Sequence, residues 1–438
     1  MPEWIFALVL MLGGIVALLM LGLPIVFAFI AVNIAGAWLF LGGDIGLMQM
    51  LRNMRSPAAQ YSLAPIPLFV LMGEIMLHSG LAQRAIDAID RLISRVPGRL
   101  SIVAVLSGTL FSSLSGSTIA NAGVLGKSLY PQMKARGYHD SMAVGPILAV
   151  GGIAMLIPPS GLAVMLGSLA SISINDLLIA GIVPAIMMAV LFLGYVMLRC
   201  RLDPSLAPVY ETETMTLGER LRPVLVNVLP LALIFVCVVG SMFAGIATAT
   251  ESAALGVVAT VIAAVIYRRF SLTMLVHSLK ETLIFSAMIL VIICTSGTFS
   301  QVLAFTGATQ EISRLVVDSG IGPLMLLLGM LAVLVFLGCF MDQVSMMMLT
   351  LPIFMPIVGA AGIDPLWFGV LVLIALEISL ITPPFGLLLF VMQGVAGPKL
   401  RVTAVYKAVL PFLALEFLVM GLLILFPGLV SLLPELMK

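Results

Sequence analysis

Charged residues, histidines and cysteines are all scarce in this sequence, and each shortage excludes a class of protein. Only 9% of the 438 residues are charged, whereas soluble domains carry about a quarter. A formal net charge of +1 and the absence of a Lys/Arg cluster exclude the basic surface that binds nucleic acid. The cysteines form no CxxC pair and the histidines are far apart in the chain, which argues against a metal or acid–base catalytic cluster. We therefore expect neither a nucleic-acid partner nor an enzyme.

Apolar residues make up 62% of the chain and the mean hydropathy is +1.24, which predicts an all-α integral membrane protein in a lipid bilayer. A helix that crosses the membrane needs about 20 mostly apolar residues. About ten apolar runs of this length are separated by short polar segments. They lie near residues 5–21, 24–42, 57–79, 142–168, 177–198, 224–243, 248–267, 281–305, 366–394 and 408–430. The first run lacks the basic start and the cleavage site of a signal peptide, so we expect it to be retained.

Two further apolar stretches, near 101–131 and 323–356, are too long for one crossing and have polar or glycine-rich middles. The first contains many hydroxyl and glycine residues between Phe111 and Gly123. Such residues are costly in lipid but are tolerated where half-helices meet inside the protein. We therefore predict two re-entrant helical hairpins.

Two proline pairs, Pro158-Pro159 and Pro383-Pro384, interrupt the apolar stretches near 142–168 and 366–394. Proline has no N–H, so the carbonyls four residues earlier, including those of Ala154 and Ser379, lose their helical partners. Unwound carbonyls beside a hydroxyl-rich hairpin tip are typical ligands for Na⁺ in membrane transporters. A single pair could equally mark a simple kink, but two matched pairs favour two broken helices at a transport site.

The two halves of the sequence carry the same landmarks at a constant offset, 383 minus 158, or 225 residues. This shift also aligns Phe111 with Phe336, Pro131 with Pro356, and Gly161 with Gly386. We predict a first repeat over 1–203, a cytoplasmic connector over 204–222 and a second repeat over 223–438. Each repeat then holds five crossings and one hairpin, and an odd number of crossings inverts the second copy, as in many secondary transporters.

The positions of the basic residues orient the chain, because Lys and Arg gather in cytoplasmic loops. With both termini on the periplasmic side, most of the 21 Lys and Arg residues fall in the cytoplasm. Only Arg52, Arg55, Arg314 and Lys438 fall outside. The segments Ala82–Arg99 and Thr309–Asp318 alternate apolar and charged residues at helical spacing, which predicts interfacial arm helices.

Seven motifs, taken in order, resemble the large membrane subunit of tripartite ATP-independent periplasmic (TRAP) transporters, the DctM-like family. They are GLPIVFAF, PIPLFVLMGEIMLHSG, SSLSGSTIAN, IPPSG, TATESAA, MDQ and ITPPFG, which span Gly22 to Gly386. The resemblance implies an elevator mechanism driven by a Na⁺ gradient in the bacterial inner membrane. It also implies a small four-helix membrane subunit as a separate chain and a periplasmic binding protein that delivers an organic acid.

Carried over residue by residue, the resemblance implies two Na⁺ sites. The first has Ser112 and Ser115 with carbonyls around Ala154, Ile157 and Pro159, and the second has Gly338, Ser379, Thr382 and Phe385. Helix N-termini at the hairpin tips attract anions, so the substrate residues expected there are Ser117, Thr118, Asn121, Asp342, Gln343 and Ser345. Acidic residues within a membrane mark functional sites by default, which singles out Asp342 and Glu377, with their roles left open.

Two other functions stay open at this point. A self-sufficient Na⁺-coupled carboxylate transporter would have the same architecture without a binding protein, and a channel is disfavoured because paired hairpins imply moving gates. The substrate also stays open among a C4-dicarboxylate, a sialic acid, another sugar acid and a keto acid.

Overall fold

The structure is a computed structural model that describes residues 2–58, 60–93, 96–208, 216–384, 386–397 and 400–437. Every regular element among these residues is a helix, which agrees with the predicted all-α class. Eight of the described helical segments are long and apolar enough to cross a membrane. The chain is therefore a multi-pass helical membrane protein.

The first half begins with a continuous apolar segment, Glu3–Met20, that contains a π-helical turn at Val9–Gly13. The helices that follow are Ile25–Phe40, Asp44–Ala58, Pro65–His78, Leu81–Leu92, Arg99–Ser115, Thr118–Ala135, Asp140–Ala149, Gly161–Leu169, Ile174–Ala180 and Ile182–Leu202, with 3₁₀ helices at Tyr61–Leu63, Val150–Met155 and Pro204–Leu206. We call Arg99–Ala135 the first hairpin and Asp140–Leu169 the first broken helix.

The second half repeats this order of elements. Its helices are Leu217–Asn227, Leu229–Phe243, Ala249–Ile266, Leu272–Phe305, Ala308–Asp318, Pro323–Leu337, Gln343–Ala360, Pro365–Ile381, Leu387–Ala396, Val402–Leu425 and Gly428–Glu435. We call Pro323–Ala360 the second hairpin, Pro365–Ala396 the second broken helix and Val402–Leu425 the last long helix.

The hairpins and the broken helices are present as helical elements at the positions predicted from sequence. The second arms of the two hairpins, Thr118–Ala135 and Gln343–Ala360, start and end 225 residues apart, and so do the starts of the broken helices, Asp140 and Pro365. Helices also occupy the two segments predicted as arm helices, as Leu81–Leu92, which ends before the predicted Arg99, and as Ala308–Asp318. Their position at the membrane interface stays a prediction. The opposite membrane orientation of the two halves stays a prediction.

Several predicted boundaries are wrong. The crossing predicted near 57–79 is shorter, because its α-helix begins only at Pro65. Residues up to Ala58 belong to a separate amphipathic helix, Asp44–Ala58, which was not predicted. Leu272–Phe305 is 34 residues long and begins before the predicted residue 281. Eight helical segments meet the length criterion. Seven of them lie at predicted crossings, and the eighth, Gln343–Ala360, is an arm of the second hairpin. The other three predicted crossings fall short of the criterion, because each broken helix divides into shorter pieces and Ile25–Phe40 has 16 residues.

Two groups of helices build the molecule. In one group, Leu272–Phe305 packs against Ile25–Phe40, Asp44–Ala58 and Pro65–His78, and the buried amide of Asn33 donates to the Thr295 carbonyl at 2.6 Å. In the other group, the hairpins and the broken helices pack on one another, and the last long helix packs along Asp140–Ala149.

A glycine allows the last long helix to lie at backbone distance from the first broken helix. A Cβ at Gly145 would lie 2.6 Å from the Ala408 carbonyl oxygen and 2.5 Å from the Phe412 ring. Neither the backbone nor the packed ring has room to move away, so only glycine fits between these helices.

We expect Gly145→Ala to destabilise the protein by about 1–3 kcal/mol, the usual cost of overpacking a filled interior. Gly194→Ala is the matched control, because Gly194 is also in a helix but has no neighbouring atom within 4 Å of an added Cβ. Thermal unfolding of the two purified variants in detergent measures the difference. Equal unfolding temperatures would show that the two helices separate freely at Gly145.

Candidate functional site

The tip of the first hairpin lies against the first proline break. Gly116, at the tip, has a φ of +58°, and a Cβ there would lie 2.4 Å from the Pro159 carbonyl oxygen. One turn earlier, Ser112 Oγ donates to the Val150 carbonyl at 3.2 Å. The structure therefore places Ser112, a member of the predicted first sodium set, beside the segment that contains three other members, Ala154, Ile157 and Pro159. All three of these residues are buried. The side chain of Ser115, the other predicted ligand, lies outside the described residues.

The second hairpin meets the second break in the same way. A Cβ at Gly338 would lie only 2.1 Å from Ser379 Cβ. Within the predicted second sodium set, the backbone of Gly338 therefore contacts the side chain of Ser379. Thr382 is close by in the chain and its hydroxyl donates to the Ile378 carbonyl at 2.6 Å. Phe385, the fourth predicted member, lies outside the described residues.

The carbonyls next to the breaks differ from the expectation in one respect. The Ser379 carbonyl was expected to be free, but it accepts the Thr382 N–H at 3.3 Å, because the chain turns after Ile381 and brings this N–H three residues back. A carbonyl has two lone pairs, so the Ser379 oxygen retains one for another ligand. In the first half, the segment before the prolines is a 3₁₀ helix, Val150–Met155, and no backbone N–H of the described residues donates to the Ala154 carbonyl.

Each hairpin tip presents the N-terminus of its second helix, but the two caps differ in charge. Ser117 is exposed and its hydroxyl accepts the Ala120 N–H at 3.3 Å. At the equivalent position of the second hairpin, the Asp342 carboxylate accepts the Ser345 N–H at 3.1 Å and also the Ser345 hydroxyl. A neutral cap leaves the positive end of the helix dipole available to an anion, whereas a carboxylate cap neutralises it.

The other predicted substrate residues are buried rather than exposed at the tips. Asn121 is fully buried, and its amide donates to the Gly108 carbonyl at 3.2 Å and to Ser112 Oγ. This geometry groups Asn121 with the first sodium set rather than with the exposed tip. Ser345 is likewise buried and is bonded to its own cap.

Glu377 links the two halves of the site. It is 1% exposed, its Oε1 accepts the Thr118 hydroxyl at 2.8 Å, and the side chain of Gln343 lies beside it. Gln343 Nε2 also donates to Met155 Sδ at 3.6 Å. Thr118 and Gln343 are equivalent residues of the two hairpins, so one carboxyl of the second broken helix contacts both tips.

Sequence reasoning missed two features of the interior. Glu416 in the last long helix is fully buried; it was read as part of a plain crossing helix, although an acidic residue within an apolar run was the available signal. His78 and His277 are far apart in the sequence but their rings meet at 4.5 Å, and Glu74 Oε2 lies 3.3 Å from His78 Nδ1, so the expected isolation of the histidines is wrong. Within the described residues no group of three or more side chains could hold a metal ion through His, Cys, Asp or Glu.

Two solved membrane proteins share this fold. The YdaH transporter of Alcanivorax borkumensis superposes with a TM-score of 0.63 at 14% identity, covering 89% of this chain and 90% of that one. MtrF of Neisseria gonorrhoeae gives a TM-score of 0.59 at 16% identity over 87% and 83% of the two chains. These likenesses show the fold alone, that of a multi-pass helical membrane protein.

The chain belongs to the family described as tripartite ATP-independent periplasmic transporter, DctM component, which it matches over residues 12–429. It is 30% identical to the sialic acid TRAP transporter large permease protein SiaM of Vibrio cholerae, over 97% of both chains. It is also 30% identical to the ectoine large permease protein TeaC of Halomonas elongata, over 95% of this chain and 96% of that one. The C4-dicarboxylate large permease protein DctM of Pseudomonas aeruginosa is 33% identical over 81% of each chain.

We expect Gly338→Ala to displace the second hairpin tip from Ser379 and to abolish most transport, because a Cβ would overlap a side chain that is itself fixed by packing. Gly123→Ala is the matched control, since Gly123 lies in a hairpin helix with no atom within 4 Å of an added Cβ. Uptake of the native substrate by cells that express equal amounts of each variant measures the effect. Full uptake by Gly338→Ala would contradict the close contact at Ser379.

Proposed function

We propose that this protein is the transport subunit of a Na⁺-coupled TRAP transporter that imports an organic acid across the bacterial inner membrane by an elevator movement. The observation that carries the proposal is the repeated contact of a hairpin tip with a proline break, Gly116 with Pro159 and Gly338 with Ser379. These contacts collect helix N-termini, hydroxyl groups and freed carbonyls in one region. Such groups bind a solute anion and its coupling cation in secondary transporters with inverted repeats.

The substrate class follows from the helix ends and from the relatives. Sialic acid, ectoine and C4-dicarboxylates, named for three similar permeases, all carry a carboxylate. The N-terminus that begins at Thr118 has a neutral and exposed cap, Ser117, which suits a carboxylate. Asp342 already neutralises the other N-terminus, so we assign the substrate carboxylate to the Ser117 tip and leave Asp342 to fix the second tip.

The cation sites are assigned to the two contacts between tips and breaks. Oxygen atoms are the ligands available there: Ser112 Oγ and the Ala154 carbonyl at the first break, and the Ser379 carbonyl and Thr382 Oγ1 at the second. Asn121 Oδ1 is buried without a hydrogen-bond partner among the described residues, and it belongs to the side chain that already contacts Ser112. An unsatisfied buried oxygen in this position supports a cation at the first break.

The remaining parts of the proposal come from the family. A periplasmic binding protein and a separate small membrane subunit complete the transporter. The distribution of Lys and Arg, rather than the family, supports our placing both termini on the periplasmic side. A self-sufficient carboxylate transporter is the alternative. The two proposals differ in whether uptake requires the binding protein and the small subunit.

We expect Ser112→Ala and Thr382→Ala each to raise the Na⁺ concentration for half-maximal uptake roughly fivefold to thirtyfold, because a lost oxygen ligand costs about 1–2 kcal/mol. Thr109→Ala is the control. Like the Thr382 hydroxyl, the Thr109 hydroxyl donates to a carbonyl one turn earlier, at 2.8 Å to Val105, and like Ser112 it lies in the first arm of the first hairpin, but farther from the tip. An unchanged Na⁺ dependence in both test variants would remove these residues from the cation sites.

The complete proposal predicts uptake into proteoliposomes only with an inward Na⁺ gradient, the small subunit and a cognate binding protein. Sialic acid, ectoine and a C4-dicarboxylate are suitable first solutes, each supplied with its binding protein. Uptake by this chain alone would establish the self-sufficient alternative. Uptake with all partners but without Na⁺ would refute the coupling.

A further inference from the structure

Two glutamates lie in the interior of the protein, and neither has a basic partner among the described residues. Glu377 is 1% exposed and Glu416 is 0% exposed. None of the ion pairs formed by described residues includes either side chain. Thr118 donates to Glu377, but neither carboxylate oxygen of Glu416 has a hydrogen-bond partner in the described part of the chain. Glu416 is therefore the less compensated of the two.

Glu416 is held against a glycine of the first broken helix. A Cβ at Gly152 would lie 2.8 Å from Glu416 Oε1 and 3.7 Å from Glu377 Cβ, so the two glutamates flank the same residue. Gly152 and Glu377 are equivalent in the repeat, since 377 minus 152 is 225. The carboxyl of Glu416 thus fills the space that a side chain at Gly152 would take, beside Glu377, the residue that the second repeat has at the equivalent position.

Apart from Lys127, Tyr130 and Tyr195, the other titratable groups on the packed elements lie near helix ends or at the second hairpin tip. Asp342 accepts hydrogen bonds from Ser345. Tyr195 of the helix Ile182–Leu202 has its ring edge-on to that of Phe412, which lies one turn from Glu416. The titratable groups on the described elements that pack on the two helices, or hydrogen-bond to them as Thr118–Ala135 does, are Lys127, Tyr130, Lys134, Asp140, Asp176, Tyr195, Arg199, Cys200, Arg201, Cys339, Asp342, Asp364, Arg401, Tyr406, Lys407 and Glu435.

An ionised Glu416 is not stable in these surroundings. Removing a carboxylate from water costs several kcal/mol when no cation or donor replaces the lost solvation. A nearby second carboxyl adds repulsion rather than compensation. A buried acid in this position takes up a proton instead of staying charged.

We propose that Glu416 is the binding site of a proton in the protein interior, and that this proton and the cation at the first break oppose each other's binding. Gly152, which contacts Glu416, lies two residues before Ala154 in the 3₁₀ segment that supplies the proposed carbonyl ligand. A cation there stabilises the ionised form of Glu416 through space, so the proton leaves when the cation binds. Linkage requires the reverse effect to be equal. The opposition rests on the Na⁺ coupling proposed above, whereas the proton site does not.

The proton site is tested by infrared spectroscopy of the purified full-length protein. A protonated carboxylic acid has its own C=O stretching band, so we expect a band at neutral pH in the wild type that is missing in Glu416→Gln. Glu435→Gln is the control, because Glu435 is exposed at the end of the last helix and should leave the band unchanged. If no band depends on Glu416 at any pH, the residue is ionised and the proposal fails.

The opposition is tested by Na⁺ titrations at several pH values. We expect the apparent Kd for Na⁺ in the wild type to fall with rising pH, toward about tenfold per pH unit for a one-for-one exchange. Glu416→Gln should flatten this dependence, and Glu435→Gln should retain it. If Glu416→Gln does not fold, the opposition is tested in the wild type instead. A pH indicator in weak buffer then shows whether Na⁺ addition releases a proton.

The outcomes separate this inference from the proposed function. Na⁺ binding that is independent of pH, with no proton release, overturns the opposition but leaves Na⁺ coupling intact. Absence of Na⁺ binding at every pH overturns the Na⁺ coupling, and the infrared band then still decides whether Glu416 holds a proton.

Discussion

The close contact between each hairpin tip and a proline break is the constraint on which the rest of the site depends. Unpaired backbone groups are not tolerated in lipid, so a re-entrant tip and a broken helix must cover each other. Gly116 and Gly338 allow this approach because each lies where a Cβ would overlap its neighbour, Pro159 or Ser379. Helix ends, hydroxyl groups and buried acids are close together only because these two glycines bring the elements into contact.

The two repeats differ where their functions should differ. The neutral cap Ser117 corresponds to Asp342, and Gly152 corresponds to Glu377. An anion is attracted to the first tip and repelled from the second, so one carboxylate substrate does not bind both tips alike. The missing side chain at Gly152 is also what admits Glu416 from the last long helix. In the transport site that we propose, divergence at these pairs gives the solute and the cations distinct positions.

Most of the fold could be predicted from the sequence, because proline pairs, glycines and apolar runs act through local backbone chemistry. The hairpins, the broken helices and the 225-residue offset all follow from such signals. The helix Asp44–Ala58 was missed because a moderately polar stretch between apolar runs is typical of a loop as well as an interfacial helix. The roles of Asn121, Glu377 and Glu416 depend on contacts between distant segments. Sequence spacing does not encode such contacts.

Glu377 makes the hairpins and the broken helices dependent on one another. Separating the first tip from the second broken helix would remove the Thr118 donor from Glu377 Oε1, and an unsatisfied buried acceptor costs about 1–3 kcal/mol. Separating the second tip would remove Gln343 from both Glu377 and Met155. Movement of all four elements as one body keeps these bonds, whereas opening one hairpin alone breaks them. These hydrogen bonds are consistent with the elevator movement that we propose, in which the four elements move together.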